Sequence, residues 1–205
     1  MAESTTEIAN LALSHIGSSK DIADLDTEAS AEAAACRRFY ETALRQTLRD
    51  FHWPFATKYA ALGLVEETPA AIDGEWAYSY RYPSDCVKLR RIVSNVRPET
   101  RQARVPFQIA RDATGLLIYT NQPDAEVEYT VAETEVIRFP DDFVMALSLR
   151  IAGYIAPRVT GGDQFKMGQR ALQLYVWEID RARASASNEE QAHEDPASQL
   201  EHDRA

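Results

Sequence analysis

The sequence predicts an α+β protein in which helices from the two ends of the chain form one body, with an antiparallel β module inserted between them and a flexible C-terminal tail. Three observations predict it. Apolar residues keep a helical spacing over the first 55 positions and again after Pro140; between them lie short aromatic and β-branched runs separated by turn residues; the last eighteen residues are almost wholly polar. The boundaries that follow are 1–55 and 140–187 for the helical body, 56–139 for the β module and 188–205 for an acidic tail, expected to be disordered until a partner binds it.

Taken in order, Ile8, Leu11, Ala12, His15 and Ile16 recur at steps of three and four, which predicts a short amphipathic helix over Thr5–Ile16. Thr5 or Thr6 suits its N-cap, Glu7 the positive end of its dipole, and Gly17 its C-cap. Ser18–Thr27 is polar and without period, so it reads as a loop. From Ala29 to Phe51 a stripe of Ala33, Cys36, Tyr40, Leu44, Thr47, Leu48 and Phe51 predicts a long helix that Pro54 stops.

The β module begins with a strand over Ala56–Leu64 and an acidic loop over Glu66–Gly74. Further strands are predicted at Trp76–Tyr82, Val87–Val93, Phe107–Ala110, Leu116–Thr120 and Val127–Val131. Trp76, Tyr78, Tyr80 and Tyr82 alternate, which places a row of large rings on one strand face, as a sheet core or an oligomer interface would use it. After Pro140, Asp141 or Asp142 is the expected cap of a helix carrying Phe143, Leu147, Ile151 and Tyr154 to Ala156, ended by Pro157 and Gly161-Gly162. A last helix from Asp163 takes Met167, Ala171, Leu174, Tyr175 and Ile179 on one stripe and fades over Arg181–Ser187.

Composition bounds the function. The 205 residues carry 22 basic and 32 acidic side chains, a formal net charge of -10, which argues against a surface that grips nucleic acid throughout. At 45% hydrophobic the chain can build a core without disulfides or metals, and Cys36 and Cys86, far apart and outside any CxxC, suit a reduced compartment. No run approaches the ~18 apolar residues of a membrane span, and the N-terminus lacks a basic leader, so a soluble, cytoplasmically made protein is expected, with no membrane partner. The charge is unevenly placed. Between Arg81 and Arg111 eight cations face only Asp85 and Glu99, whereas residues 188–205 hold six acids against Arg204. Arg90, Arg91, Arg97, Arg101 and Arg104 are therefore candidates for contact with DNA or with an acidic surface of a partner or neighbouring subunit, weighed evenly against the solvated face of a half-buried strand, because Lys88 and Arg90 alternate with Val87 and Leu89.

Residues able to do chemistry are present but not assembled into any pattern. His15 and His52 have no second His at ligand spacing and read as core or interface groups; His193 and His202 fall in the tail. Cys36 and Cys86 read as small hydrophobes, Asp141-Asp142 as helix capping, and Gly161-Gly162 as a turn. No phosphate-binding loop, dinucleotide fingerprint, zinc protease or nucleophile-elbow string occurs. Neither an enzyme nor a cofactor or metal is expected.

Three strings in order carry a resemblance: Asn10-Leu11-Ala12-Leu13-Ser14-His15-Ile16-Gly17; Phe51-His52-Trp53-Pro54-Phe55-Ala56 closing the long helix; and the run from Tyr78 through Tyr82-Pro83-Ser84-Asp85 to Ile92. Together they resemble the head-to-tail adaptors of tailed double-stranded DNA phages, of the tail tubular protein A type of short-tailed phages, over residues 5–180. The resemblance implies a virion structural protein at the head–tail junction, present in the host cytoplasm during assembly. It implies a ring, usually of twelve copies, that joins the portal protein to the tail nozzle protein and extends the channel through which double-stranded DNA passes without sequence-specific binding. It also implies a C-terminal segment that climbs onto the portal, which makes Glu189, Glu190, Asp195, Leu200 and Glu201 the candidate portal-binding residues. The alternative is a DNA-binding accessory protein of genome packaging, motivated by the basic stretch alone.

Overall fold

A computed structural model describes residues 4–69, 74–94, 104–163 and 166–189. The fold is α+β, and the described residues form four α-helices, α1 (Thr5–His15), α2 (Ala31–Asp50), α3 (Asp141–Val159) and α4 (Met167–Glu189). Seven strands lie between α2 and α3: β1 (Thr57–Ala61), β2 (Leu64–Glu67), β3 (Tyr78–Arg81), β4 (Cys86–Ile92), β5 (Phe107–Arg111), β6 (Leu116–Thr120) and β7 (Glu126–Val131). The chain divides into two compact units, one of Met1–Lys58, Asp85–Lys88 and Thr130–Arg183, the other of Tyr59–Ser84, Leu89–Tyr129 and the chain after Arg183. The division falls within β1, β4 and β7.

In the helical unit the N-cap of α1 is Ser4 rather than Thr5 or Thr6; its hydroxyl accepts from the Glu7 N–H. Thr6 has other work, since its hydroxyl accepts from the Leu25 N–H at 3.0 Å. At the other end Gly17, at φ +75°, donates to the Ser14 carbonyl while Ser18 donates to Leu13, a Schellman closure that needs a left-handed residue. The polar loop that follows is pinned rather than free. Asn10 Oδ1 accepts from the Ile22 N–H at 2.8 Å and its Nδ2 donates to the Ile22 carbonyl at 3.0 Å, while Ile22 and Leu25 enter the core.

α2, capped by Ser30, buries Ala33, Ala35, Cys36, Ala43, Leu44, Thr47 and Leu48, and the chain leaves it through the turn at Pro54–Ala56. This turn drives Trp53 into the core, where its ring meets Phe51 and Phe143 edge-on at centroid distances of 4.9 Å and its Nε1 donates to the Thr47 carbonyl at 2.8 Å. Phe55 and Phe139 also pack on Phe143, at 4.9 and 4.8 Å, so the first turn of α3 docks into an aromatic cluster. α3 is not the one-sided helix that a single stripe predicts. It buries Phe143, Leu147 and Ile151 together with Val144, Leu149, Ser148 and Arg150, and is the central helix of the unit.

Two expectations for α3 are corrected. Pro140 occupies the cap position, and Asp141 and Asp142 lie in the first turn, where they face the helix dipole; Asp142 Oδ1 still accepts from one free N–H there, that of Phe143, at 2.8 Å. The helix also continues past Pro157 to Val159, because a proline this near the C-terminus removes one hydrogen bond without ending the turn; Thr160 still donates to the Ala156 carbonyl.

The second unit contains an antiparallel four-stranded sheet in the order β2-β3-β6-β5, and β1, β7 and β4 form a three-stranded sheet. One strand was expected over Ala56–Leu64; two are present, broken at Leu62-Gly63. β2 pairs Leu64 with Tyr80 but Glu66 with Ser79, so Val65 is an extra residue and the strand bulges. The aromatic row is also shorter than expected: β3 starts at Tyr78, only Tyr80 is buried, and Trp76 lies outside the strand, its Nε1 donating to Gln108 at 3.1 Å.

Candidate functional site

His15 Nε2 lies 3.1 Å from Ser148 Oγ. Ser148 already donates its proton to the Met145 carbonyl at 2.8 Å, so the imidazole is the donor and cannot act as a base toward that hydroxyl. Burial lowers the His15 pKa, because it disfavours the charged ring. Burial also pushes the Cys36 thiol up to about 11 and the Tyr40 phenol up to about 12, away from nucleophilic or acid–base use near neutrality. Among the described residues no three His, Cys, Asp or Glu side chains are grouped so as to hold a metal ion, and no helix is long and apolar enough to cross a membrane.

A polar junction ties the end of α2 to α3 and α4. Arg150, only 9% exposed, bonds Asp50 through Nη2, and its guanidinium carbon sits 4.2 Å over the Tyr175 ring. Tyr175 in turn donates to Asp50 at 2.8 Å, and burial first, then that carboxylate, holds its phenol above the usual range. Nε and Nη1 of Arg150 are buried without a hydrogen-bond partner, so this junction retains a desolvation cost that the stacking offsets in part. Beside it, Asp50, Lys88, Tyr175, Val176, Ile179, Asp180 and Arg183 line an open cleft. Lys88 and Arg49 cross there, each donating to a backbone carbonyl of the other's segment, Arg49 and Val87 respectively.

The expected basic surface is part of a paired network. In β4 Val87, Leu89 and Ile92 are buried; the three-residue step from Leu89 to Ile92 leaves Arg90 half-buried and Arg91 exposed. Arg91 forms an ion pair with the nearly buried Glu128 of β7. Arg81 forms a two-pronged pair with Asp112, both contacts at 3.1 Å. That pairing, with the N–H groups of Thr114 and Gly115, holds the Asp112 carboxyl far below its ordinary range. Arg104 is exposed, whereas Arg97 and Arg101 lie outside the described residues. Of the tail candidates, Glu189 is the last residue of α4, and Glu190, Asp195, Leu200 and Glu201 lie outside the described residues. The pairing acids Asp112 and Glu128 follow the basic stretch in sequence, so a window count of charge missed them; only cross-strand register reveals them.

α4 departs most from its expected stripe. Its buried line is Ala171, Tyr175, Ile179 and Ala182, and Leu174, expected within that line, is 43% exposed. Trp177 is 60% exposed and Val176 is also on the outside. The helix docks through small residues instead. At Gly168 an added Cβ would stand 2.8 Å from Ala156 Cβ and 3.1 Å from the Gly153 carbonyl, and at Gly153 it would meet Leu172 Cγ at 2.5 Å. α4 thus approaches α3 closely at Gly168 and Gly153, and leaves Leu174, Val176 and Trp177 on the outside.

No protein-family model matches the chain, and no curated protein matches it.

Proposed function

We propose that this protein is the adaptor ring of a tailed double-stranded DNA phage, joining the portal vertex of the filled head to the tail nozzle. The observation that carries the reading is the coherence of the three ordered strings with structural work: the first ends α1 in its Gly17 closure, the second is the turn that drives Trp53 into the core, and the third spans β3, its turn and β4. On this reading the chain acts as a spacer and does no catalysis. Its partners are its own copies, the portal and the nozzle, with DNA passing through the ring.

The charge distribution supports this over a DNA-packaging accessory. Arg81 and Arg91 are neutralised by carboxylates of the same unit, and such paired guanidiniums contribute little to phosphate binding. An acidic C-terminal segment, six acids against Arg204 over residues 188–205, suits a connector, since it offers a charged surface to a basic partner. Electron microscopy of the protein mixed with the portal of the same genome tests the proposal; rings seated on portal are expected, and absence of both ring and portal complex overturns it. The accessory reading predicts instead a gel shift at low salt that is lost when Arg90, Arg91, Arg97 and Arg101 become Glu.

A further inference from the structure

On α4, Arg170, Leu174, Trp177 and Arg181 follow one another at steps of four, three and four and share one exposed face, about a third of a turn round from the buried line. The outward stripe is therefore an apolar centre with an arginine at each end. Arg181 makes a 3.5 Å contact to Glu178 on its own helix. A Trp 60% exposed at the centre of such a stripe is an anchor awaiting a surface. Pairing of two such helices about a two-fold axis would set Arg170 against Arg181 at both ends, which like-charge repulsion disfavours.

The complement lies elsewhere on the same chain. β2 is an edge strand of its sheet, all four of its residues are exposed, and its sequence runs apolar then acidic: Leu64 (51% exposed), Val65 (44%), Glu66, Glu67. The bulge at Val65 is what leaves two adjacent apolar side chains uncovered. The spacings agree. From the Leu174–Trp177 midpoint to Arg181 is ~8 Å along a helix, and from the Leu64–Val65 midpoint to the Glu66–Glu67 midpoint is ~7 Å along a strand.

We infer that the α4 stripe Arg170–Leu174–Trp177–Arg181 of one copy docks on the β2 edge of a second copy, Trp177 over Leu64 and Val65, and Arg181 against Glu66 and Glu67. Two different patches meet, so the contact is head-to-tail and propagates into a ring or an open chain. The inference deepens the ring reading by naming its subunit contact, and rests on that reading only in that a ring needs such a contact.

The test uses two full-length variants, Trp177→Asp with Arg181→Glu, and Leu64→Asp with Val65→Asp, each checked for an unchanged melting temperature; the two altered patches are both acidic and cannot pair with each other. Sedimentation velocity and electron microscopy follow the parent and the variants alone and with portal. The expected result is that the parent assembles, each variant alone does not, and an equal mixture forms a dimer and stops there, because one chain supplies the intact α4 and the other the intact β2. Trp177→Ala alone is expected to weaken association by about 30-fold. Assembly that survives the β2 variant, or a mixture that gives no dimer, overturns the contact. Rings on portal that persist in both variants overturn it while leaving the ring reading intact; a parent that stays monomeric both alone and with portal overturns both.

Discussion

Replacing Trp53 with Ala should remove the keystone of the helical unit. The side chain is 1% exposed, meets Phe51 and Phe143 edge-on and Phe55 at a tilt, and satisfies the Thr47 carbonyl at the end of α2. Truncating a buried aromatic costs about 3–5 kcal/mol, and leaving that carbonyl unpaired places this site at the upper end, ~4–5 kcal/mol. Against a total stability of roughly 5–15 kcal/mol the loss is severe. For a chain of this size it corresponds to a fall in Tm of about 8–20 °C. Trp53→Phe keeps a ring in the cluster and loses mainly the N–H, so about 1–2 kcal/mol is expected. Urea denaturation followed by circular dichroism, with a thermal melt beside it, measures both. A Trp53→Ala protein within ~1 kcal/mol of the parent would refute the reasoning, since a buried ring of that size cannot be lost so cheaply.

Gly168→Ala should cost about 1–3 kcal/mol and expose α4 to limited proteolysis, because its Cβ would press on Ala156 and on the Gly153 carbonyl, and backbone cannot yield as a side-chain tip can. His15, its pKa lowered by burial, gives a sign that can be checked: as pH falls through the unfolded value near ~6.5 the unfolded chain takes up the proton first, so stability drops and then levels below the folded pKa. His15→Gln should flatten that slope in denaturation curves between pH 7 and pH 5, chosen as a window about the ~6.5 reference value. Deleting Glu189–Ala205 should leave the melt unchanged and weaken retention on immobilised portal; unchanged retention would refute the tail's assignment.

What was legible in the sequence was what neighbours along the chain determine. The period of α2, the closing role of Gly17, the stop at Pro54 and the strands β5 to β7 follow from local spacing and turn chemistry. What was not legible depends on residues brought together from afar. Nothing near Asn10 reveals that it pairs with Ile22, and nothing near Arg81 or Arg91 reveals Asp112 or Glu128. The break at Leu62-Gly63 and the bulge at Val65 within β2 likewise follow from how the chain pairs with distant strands, which cross-strand register alone defines. On α4 hydrophobicity itself misled: the inner face begins with Gly168 and Ala171, where the helix lies close to α3, and continues through Tyr175 and Ile179, while Leu174 and Trp177 are left on the outside.

The most direct test of the central claim is electron microscopy of the full chain with the portal protein of the same genome. The account predicts closed rings of this protein seated on the portal, with an open central channel. Preparations that contain only free monomer beside bare portal would contradict it.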